Sequence, residues 1–246
     1  MAWVFAGLLA ALLGLNVFVL LSYGRGQTVP NGLGLTGKEA AAKLLKSLNL
    51  TETEVEPRRA NAWRRLYSER FLRRKGHLRL PEADEENVTA LVLALRGAVR
   101  VNKLEARLPA FVWQARLAGL FTLLSNLSIW VLLAGLIIGD DRLQLVGGAG
   151  LGAALFGQLL GLPAELELSR EAKRLYADLK GVQDEAPNPR PAWVGSDPAL
   201  KLLRRGLLAA ALNPLGSSVK TMMFPAHVIL GLAQDWREAE EERATL

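Results

Sequence analysis

The sequence predicts an α-helical polytopic membrane protein, with an N-terminal anchor and a central transmembrane hairpin around a small, mainly α cytoplasmic domain. Two observations lead there. Half of the 246 residues are hydrophobic while 22% are charged, so apolar and polar stretches must be segregated along the chain. Three of the apolar stretches, 2–22, 117–139 and 143–162, are free of charge and 20 to 23 residues long, and about 20 apolar residues cross a hydrocarbon core.

Residues 1–23 form the anchor. A secretory signal would carry a basic start and a shorter apolar core. Nothing basic precedes Trp3 and the block runs into Leu-Leu-Ser-Tyr-Gly-Arg, so we expect an uncleaved helix.

Residues 24–116 form the main polar domain. A glycine-rich turn at 31–37 leads into a helix over 38–48, with Thr36 as N-cap and Ala41, Leu44, Leu45 and Leu48 on one face. A phosphate loop is disfavoured, because the G-x-x-x-x-G-K-[ST] spacing is absent and no strand precedes the turn. Short strands are expected at 53–56 and 77–80, and a helix over 85–103 with Val88, Leu91, Val92, Leu95 and Val99 in register.

Between the strands, 58–75 carries Arg58, Arg59, Arg64, Arg65, Arg70, Arg73, Arg74 and Lys75 against one acid, Glu69. This stretch accounts for the whole net charge of +6, since the rest of the chain nets −1. A solvated face that helps set orientation, a surface for anionic lipid and a nucleic-acid contact all suit such a segment. Tethering beside a membrane favours lipid over nucleic acid.

Residues 117–162 form the hairpin, since only Asp140, Asp141 and Arg142 separate its two spans. Gly148/Gly152 and Gly157/Gly161 are spaced to admit a neighbouring helix, although glycine is also common in membrane helices generally. A polar helix and linker follow over 163–200. Segment 201–246 holds apolar helices interrupted at Asn213-Pro214 and Pro225 and an acidic tail. Its 206–233 part suits a kinked fourth span or a pair of interfacial helices. Basic residues near the span ends place the N-terminus outside and both 24–116 and 163–200 in the cytoplasm.

The chain has no cysteine and two histidines, His77 and His227. Disulfide frameworks, thiol nucleophiles and Cys-ligated metal sites are therefore excluded, and histidines so far apart cannot form an H-E-x-x-H helix. His77 is expected to decorate a strand and His227 to pack in an apolar helix. No carboxylate dyad or nucleophile elbow stands out.

Several segments, in order, resemble the membrane-bound neutral zinc metallopeptidases of bacteria. Leu35-Thr36-Gly37-Lys38-Glu39-Ala40-Ala41 is similar to that family's L-T-G-x-E-x-A helix start, and Leu78-Arg79-Leu80 to its L-R-L-S strand. Leu162-Pro163-Ala164-Glu165-Leu166-Glu167-Leu168-Ser169 resembles its L-P-V-E-F-D-A-S segment, the most specific of the matches. Ala209-Ala210-Ala211-Leu212 echoes its A-A-L-T helix.

The resemblance implies a zinc site built from H-E-x-x-H on the helix before the hairpin, with the L-P-x-E glutamate as third ligand. Its A-A-H-E-V-G-H stretch falls on Ala94-Leu95-Arg96-Gly97-Ala98-Val99-Arg100, and its T-D-H-Y-D-P stretch survives poorly at 68–73. Arginine is permanently protonated and cannot ligate a cation, so Glu165 is left as a vestigial ligand position. Arg96 and Arg100 stand at i and i+4 and share a face. They either meet Glu165, with Glu167 two residues on as a further candidate, as a charge replacement for the metal, or point to solvent or headgroups.

The expected function is that of a proteolytically inactive membrane protein, a scaffold or regulatory partner for another membrane protein or an active peptidase relative, with no cofactor. The alternatives are an active metallopeptidase or other hydrolase using unrecognised residues, and a basic module that binds anionic lipid through 58–75.

Overall fold

The computed structural model describes residues 2–57, 70–72, 76–184 and 197–216. Helix α1 runs over Ala2–Gln27 and α2 over Gly37–Ser47. The start of α2 is a capping box. Thr36 Oγ1 accepts from the Glu39 amide at 3.2 Å, and the Glu39 carboxylate accepts from the Thr36 amide at 2.9 Å, which satisfies two amides that a helix start leaves open.

Strands β1 (Glu54–Pro57), β2 (Arg70–Leu72) and β3 (His77–Leu80) form a sheet in the order β1-β3-β2. β1 lies parallel to β3 and β2 antiparallel to it. β2 lies within the stretch read from the sequence only as a basic run. Apart from the backbone of 70–72, that stretch, with the lipid-binding candidates Arg58, Arg59, Arg64, Arg65, Arg70, Arg73, Arg74 and Lys75, lies outside the described residues, as does His227.

Helix α3 (Val88–Glu105) begins three residues later than expected because Asn87 caps it: its backbone is extended and its side-chain oxygen accepts from the Ala90 amide at 2.8 Å. The periodicity of α3 suggests one buried face, but Val88 to Val99 is buried throughout. The reason is position. α3 is the central element, in contact with α1, α2, β2 and β3, with α4 (Pro109–Ile138), α5 (Asp141–Asp184) and α6 (Asp197–Gly216).

Helices α4 and α5 are antiparallel. Gly139 closes α4 in the left-handed conformation, at φ 77°, and the Asp140 carboxylate accepts from the Arg142 and Leu143 amides at the start of α5. A Cβ built on Gly147 would meet the Leu132 backbone, on Gly150 the Ser128 side chain, and on Gly157 the Phe121 ring. The glycines of the seam that leave no room for a side chain are therefore 135 on α4, against Leu143 and Gln144, and 147, 150 and 157 on α5, Gly157 being one of those expected. Gly152, expected at such a seam, faces open space.

Two helices, α4 over Leu120–Ile138 and α5 over Asp141–Lys180, contain stretches long and apolar enough to cross a membrane. At 44 residues α5 spans about 66 Å, roughly twice a hydrocarbon core. It passes through Pro163 without a break, so the third apolar block and the polar L-P-x-E segment are one continuous rod. α6 likewise continues through Asn213-Pro214, with Pro214 in its last turn. Its residues Ala199, Leu203, Leu207 and Ala210 join the same core as α3, and Gly206 lies opposite Val92.

Candidate functional site

Where α3 crosses α5, a carboxylate is surrounded by donors. Arg96 and Glu165 retain only 1% and 5% of their exposure, which makes them the two buried charged side chains among the described residues. Arg96 Nη2 donates to Glu165 Oε2. Arg100 Nη2 donates to both carboxylate oxygens, at 2.9 and 3.0 Å, and Gln114 Nε2 on α4 donates to Oε1 at 2.6 Å. Arg96 Nη1 reaches Ser169 Oγ at 2.5 Å, and that hydroxyl donates onward to the Leu207 carbonyl at 2.9 Å. The cluster therefore ties α3, α4, α5 and α6 together.

Helical spacing brings these side chains together. Arg96 and Arg100 are one turn apart on α3, and Glu165 and Ser169 one turn apart on α5. Glu167 is two residues past Glu165 and so lies on another side of α5. It pairs not with the arginines but with Lys103, at 3.0 Å, and Glu171 takes the same ammonium. Lys103 is seven residues beyond Arg96 on the same face, and that spacing was the signal for its role. Ser169 could have been read from its i+4 relation to Glu165. Gln114 had no sequence signal, since its position depends on how α4 leaves the domain.

Burial lowers the affinity of the Lys103 ammonium for its proton, but the hydrogen bonds to Glu171 and Glu167 outweigh that and raise its pKa. His77 lies elsewhere, on β3, with Nδ1 2.5 Å from Glu56 Oε1, while Arg79 Nε donates to Glu56 Oε2 at 2.8 Å. The Arg79 hydrogen bond, with His77 adding to it against partial desolvation, holds the Glu56 carboxyl below its ordinary 4.5.

The fold and this cluster define a helical protein with a polar core at the foot of an apolar hairpin. The sequence profile of a family described as "Putative neutral zinc metallopeptidase" matches residues 1–191, and the chain belongs to that family. No curated protein and no solved structure matches it.

The residues present do not fit a zinc ion at this place. A carboxylate offers about four lone-pair sites, and both Glu165 oxygens already accept two donors each. Two of the carboxylate's three side-chain partners, Arg96 and Arg100, are cations without a lone pair to give. Among the described residues no three His, Asp or Glu side chains converge as a metal site. A Cβ built on Gly97 would lie 3.1 Å from both Leu78 methyls and 3.2 Å from Leu80 Cδ2. A side chain there would press on the Leu78 and Leu80 side chains of β3.

Proposed function

We propose that this chain is a multi-pass member of the family whose metal position is held by its own side chains, and that it serves as a non-proteolytic scaffold or regulatory partner of another membrane protein. The observation that carries the reading is the saturation of Glu165 by Arg96, Arg100 and Gln114. In this reading Arg96, Gly97 and Arg100 occupy the positions of the family's metal-binding motif, and the buried guanidinium–carboxylate contacts perform the structural part of the metal's task by clamping two helices. They supply no activated water, which is the part hydrolysis requires. α1 forms a third crossing beside α4 and α5, and the domain between α1 and α4 is cytoplasmic.

Metal analysis of the purified chain, together with a peptide-hydrolysis assay, tests the reading. Less than a tenth of an equivalent of zinc and no hydrolysis are expected. Stoichiometric zinc that disappears in Glu165→Ala would overturn it. Affinity capture from native membranes under mild detergent then tests the partner role, with one co-purifying membrane protein as the expected result.

A further inference from the structure

Arg205 on α6 reaches across to α1. Its Nε donates to Ser22 Oγ at 3.2 Å, and its guanidinium carbon lies 5.3 Å from the centre of the Phe18 ring. A ring face and a hydroxyl fix the guanidinium without neutralising it. The cations of the α3–α5 contact differ, since each of them meets a carboxylate. Among the described residues no carboxylate forms a salt bridge with Arg205, Arg204, Lys201 or Arg25. α1 has no acidic residue, and α6 has none after Asp197.

Helical spacing gathers these cations at one edge. Lys201, Arg204, Arg205 and Leu208 stand at i, i+3, i+4 and i+7 and share a face of α6. On α1, Val17, Leu21 and Arg25 form an exposed stripe at i, i+4 and i+8, beside the Phe18 and Ser22 that Arg205 touches. The two helices run in opposite senses. α6 heads for the hairpin, because the Leu207 carbonyl meets Ser169 while Ala210 and Pro214 border the same space as Gly157 and Gly161. α1 leaves its charge-free block and ends against the polar domain, where Gly26 packs on Thr89. Lys201, Arg204 and Arg25 therefore lie on the polar side of this edge, and Val17, Leu21 and Leu208, all exposed, on the apolar side.

We propose that the outer edge of the α1–α6 contact binds an anionic glycerophospholipid, its phosphodiester against Arg205 and its acyl chains along Val17, Leu21 and Leu208. Arg205 spends only Nε on the protein, which leaves its two Nη groups for a phosphate, the geometry a guanidinium fork matches. Cations set just beyond an apolar surface stand at the level of lipid head groups. With no acid among these side chains, the ammonium of a zwitterionic head finds no partner here, and a head of net negative charge is preferred. The inference rests on α1 crossing the membrane and is independent of what holds Glu165.

The test uses the full chain in nanodiscs of phosphatidylglycerol and phosphatidylcholine in equal parts. A photoreactive diazirine is carried on the acyl chain of one lipid or the other, and the labelled peptides are mapped. Phosphatidylglycerol should label 17–25 and 201–208 about fivefold more than phosphatidylcholine, the factor that one juxtamembrane cation contributes. Arg205→Gln should bring that ratio toward one. So should Lys201→Gln with Arg204→Gln, which changes exposed side chains only. Arg142→Gln at the hairpin tip, the same loss of charge elsewhere, should leave the ratio as it is. Equal labelling by the two lipids, a ratio unchanged in either site variant, or a ratio lowered as far by Arg142→Gln would overturn the proposal. The chain has no cysteine of its own, so Ala2→Cys and Thr28→Cys report the crossing of α1 by reaction with an impermeant maleimide in sealed vesicles. Reaction from opposite sides is expected. Opposite sides without selective labelling defeat the lipid site and leave the crossing standing, whereas reaction from the same side defeats the crossing and the site with it.

Discussion

Arg96 on α3 donates to Glu165 on α5, and neither side chain retains more than a trace of contact with solvent. The two residues are 69 positions apart in sequence. Ion pairs so deeply withdrawn gain little over an apolar pair of the same shape, but breaking one leaves an uncompensated charge inside the protein. That asymmetry sets the first expectation.

Glu165→Gln should destabilise the chain by about 3–5 kcal/mol, since the buried Arg96 guanidinium then loses the carboxylate it donates to. The triple change Arg96→Met, Arg100→Met, Glu165→Leu should recover most of that loss, because it removes the desolvated charges together. Thermal unfolding in one detergent compares them, and a triple variant as unstable as Glu165→Gln would contradict the account.

Arg96→His with Arg100→His should create a zinc site. Two imidazoles one turn apart, with Glu165 relieved of its guanidinium donors, make a three-ligand set of the kind zinc accepts. One zinc per chain is expected in the double variant. Hydrolysis is not expected to return with it, because Gly97 still lacks a general base and Leu78 and Leu80 lie against it.

The hairpin seam should discriminate between its glycines. Gly147→Ala places a methyl group against the Leu132 backbone and should cost about 1–3 kcal/mol as overpacking. Gly152→Ala meets open space and should be neutral or stabilise by up to about 1 kcal/mol, from helix propensity alone. Unfolding midpoints measured side by side give the comparison.

The Glu56 contact should make the sheet acid-sensitive. Its carboxyl is held below 4.5 in the folded chain, so folding takes up the ionised form preferentially. The stabilisation is present above pH 4.5 and fades as pH falls through the lower folded value. Glu56→Gln should therefore unfold earlier than the parent at neutral pH, with the difference vanishing in acid. A gap that stays constant from pH 7 to pH 3 would refute the assignment.

Much of this architecture was legible in the sequence. Charge-free runs over 117–139 and 143–162 identified the hairpin because apolar length is a local property. Thr36 announced the start of α2 because a cap is completed within four residues. Strand β2 was hidden because the basic side chains of its segment obscure any alternation. That α5 runs unbroken through Pro163 was not legible, since a helix held by neighbours on several sides tolerates one missing amide. Gly157 was legible as a small residue of the seam and Gly152 was read there wrongly, as which face of α5 meets α4 depends on how the helix is rotated.

The sequence by itself determined that arginine stands at both 96 and 100, one helical turn apart, and that the two histidines, His77 and His227, lie far from Glu165 along the chain. Those are statements about residue identity, which a linear string contains in full. Only the tertiary structure decided what the arginines touch. Glu165 could have met one guanidinium, both or neither, and Glu167 stood as a second candidate in the string. The crossing of α3 over α5 brings Arg96 and Arg100 onto one carboxylate and leaves Glu167 to Lys103. Contacts between distant segments depend on helix rotation and packing, which are properties of the whole fold.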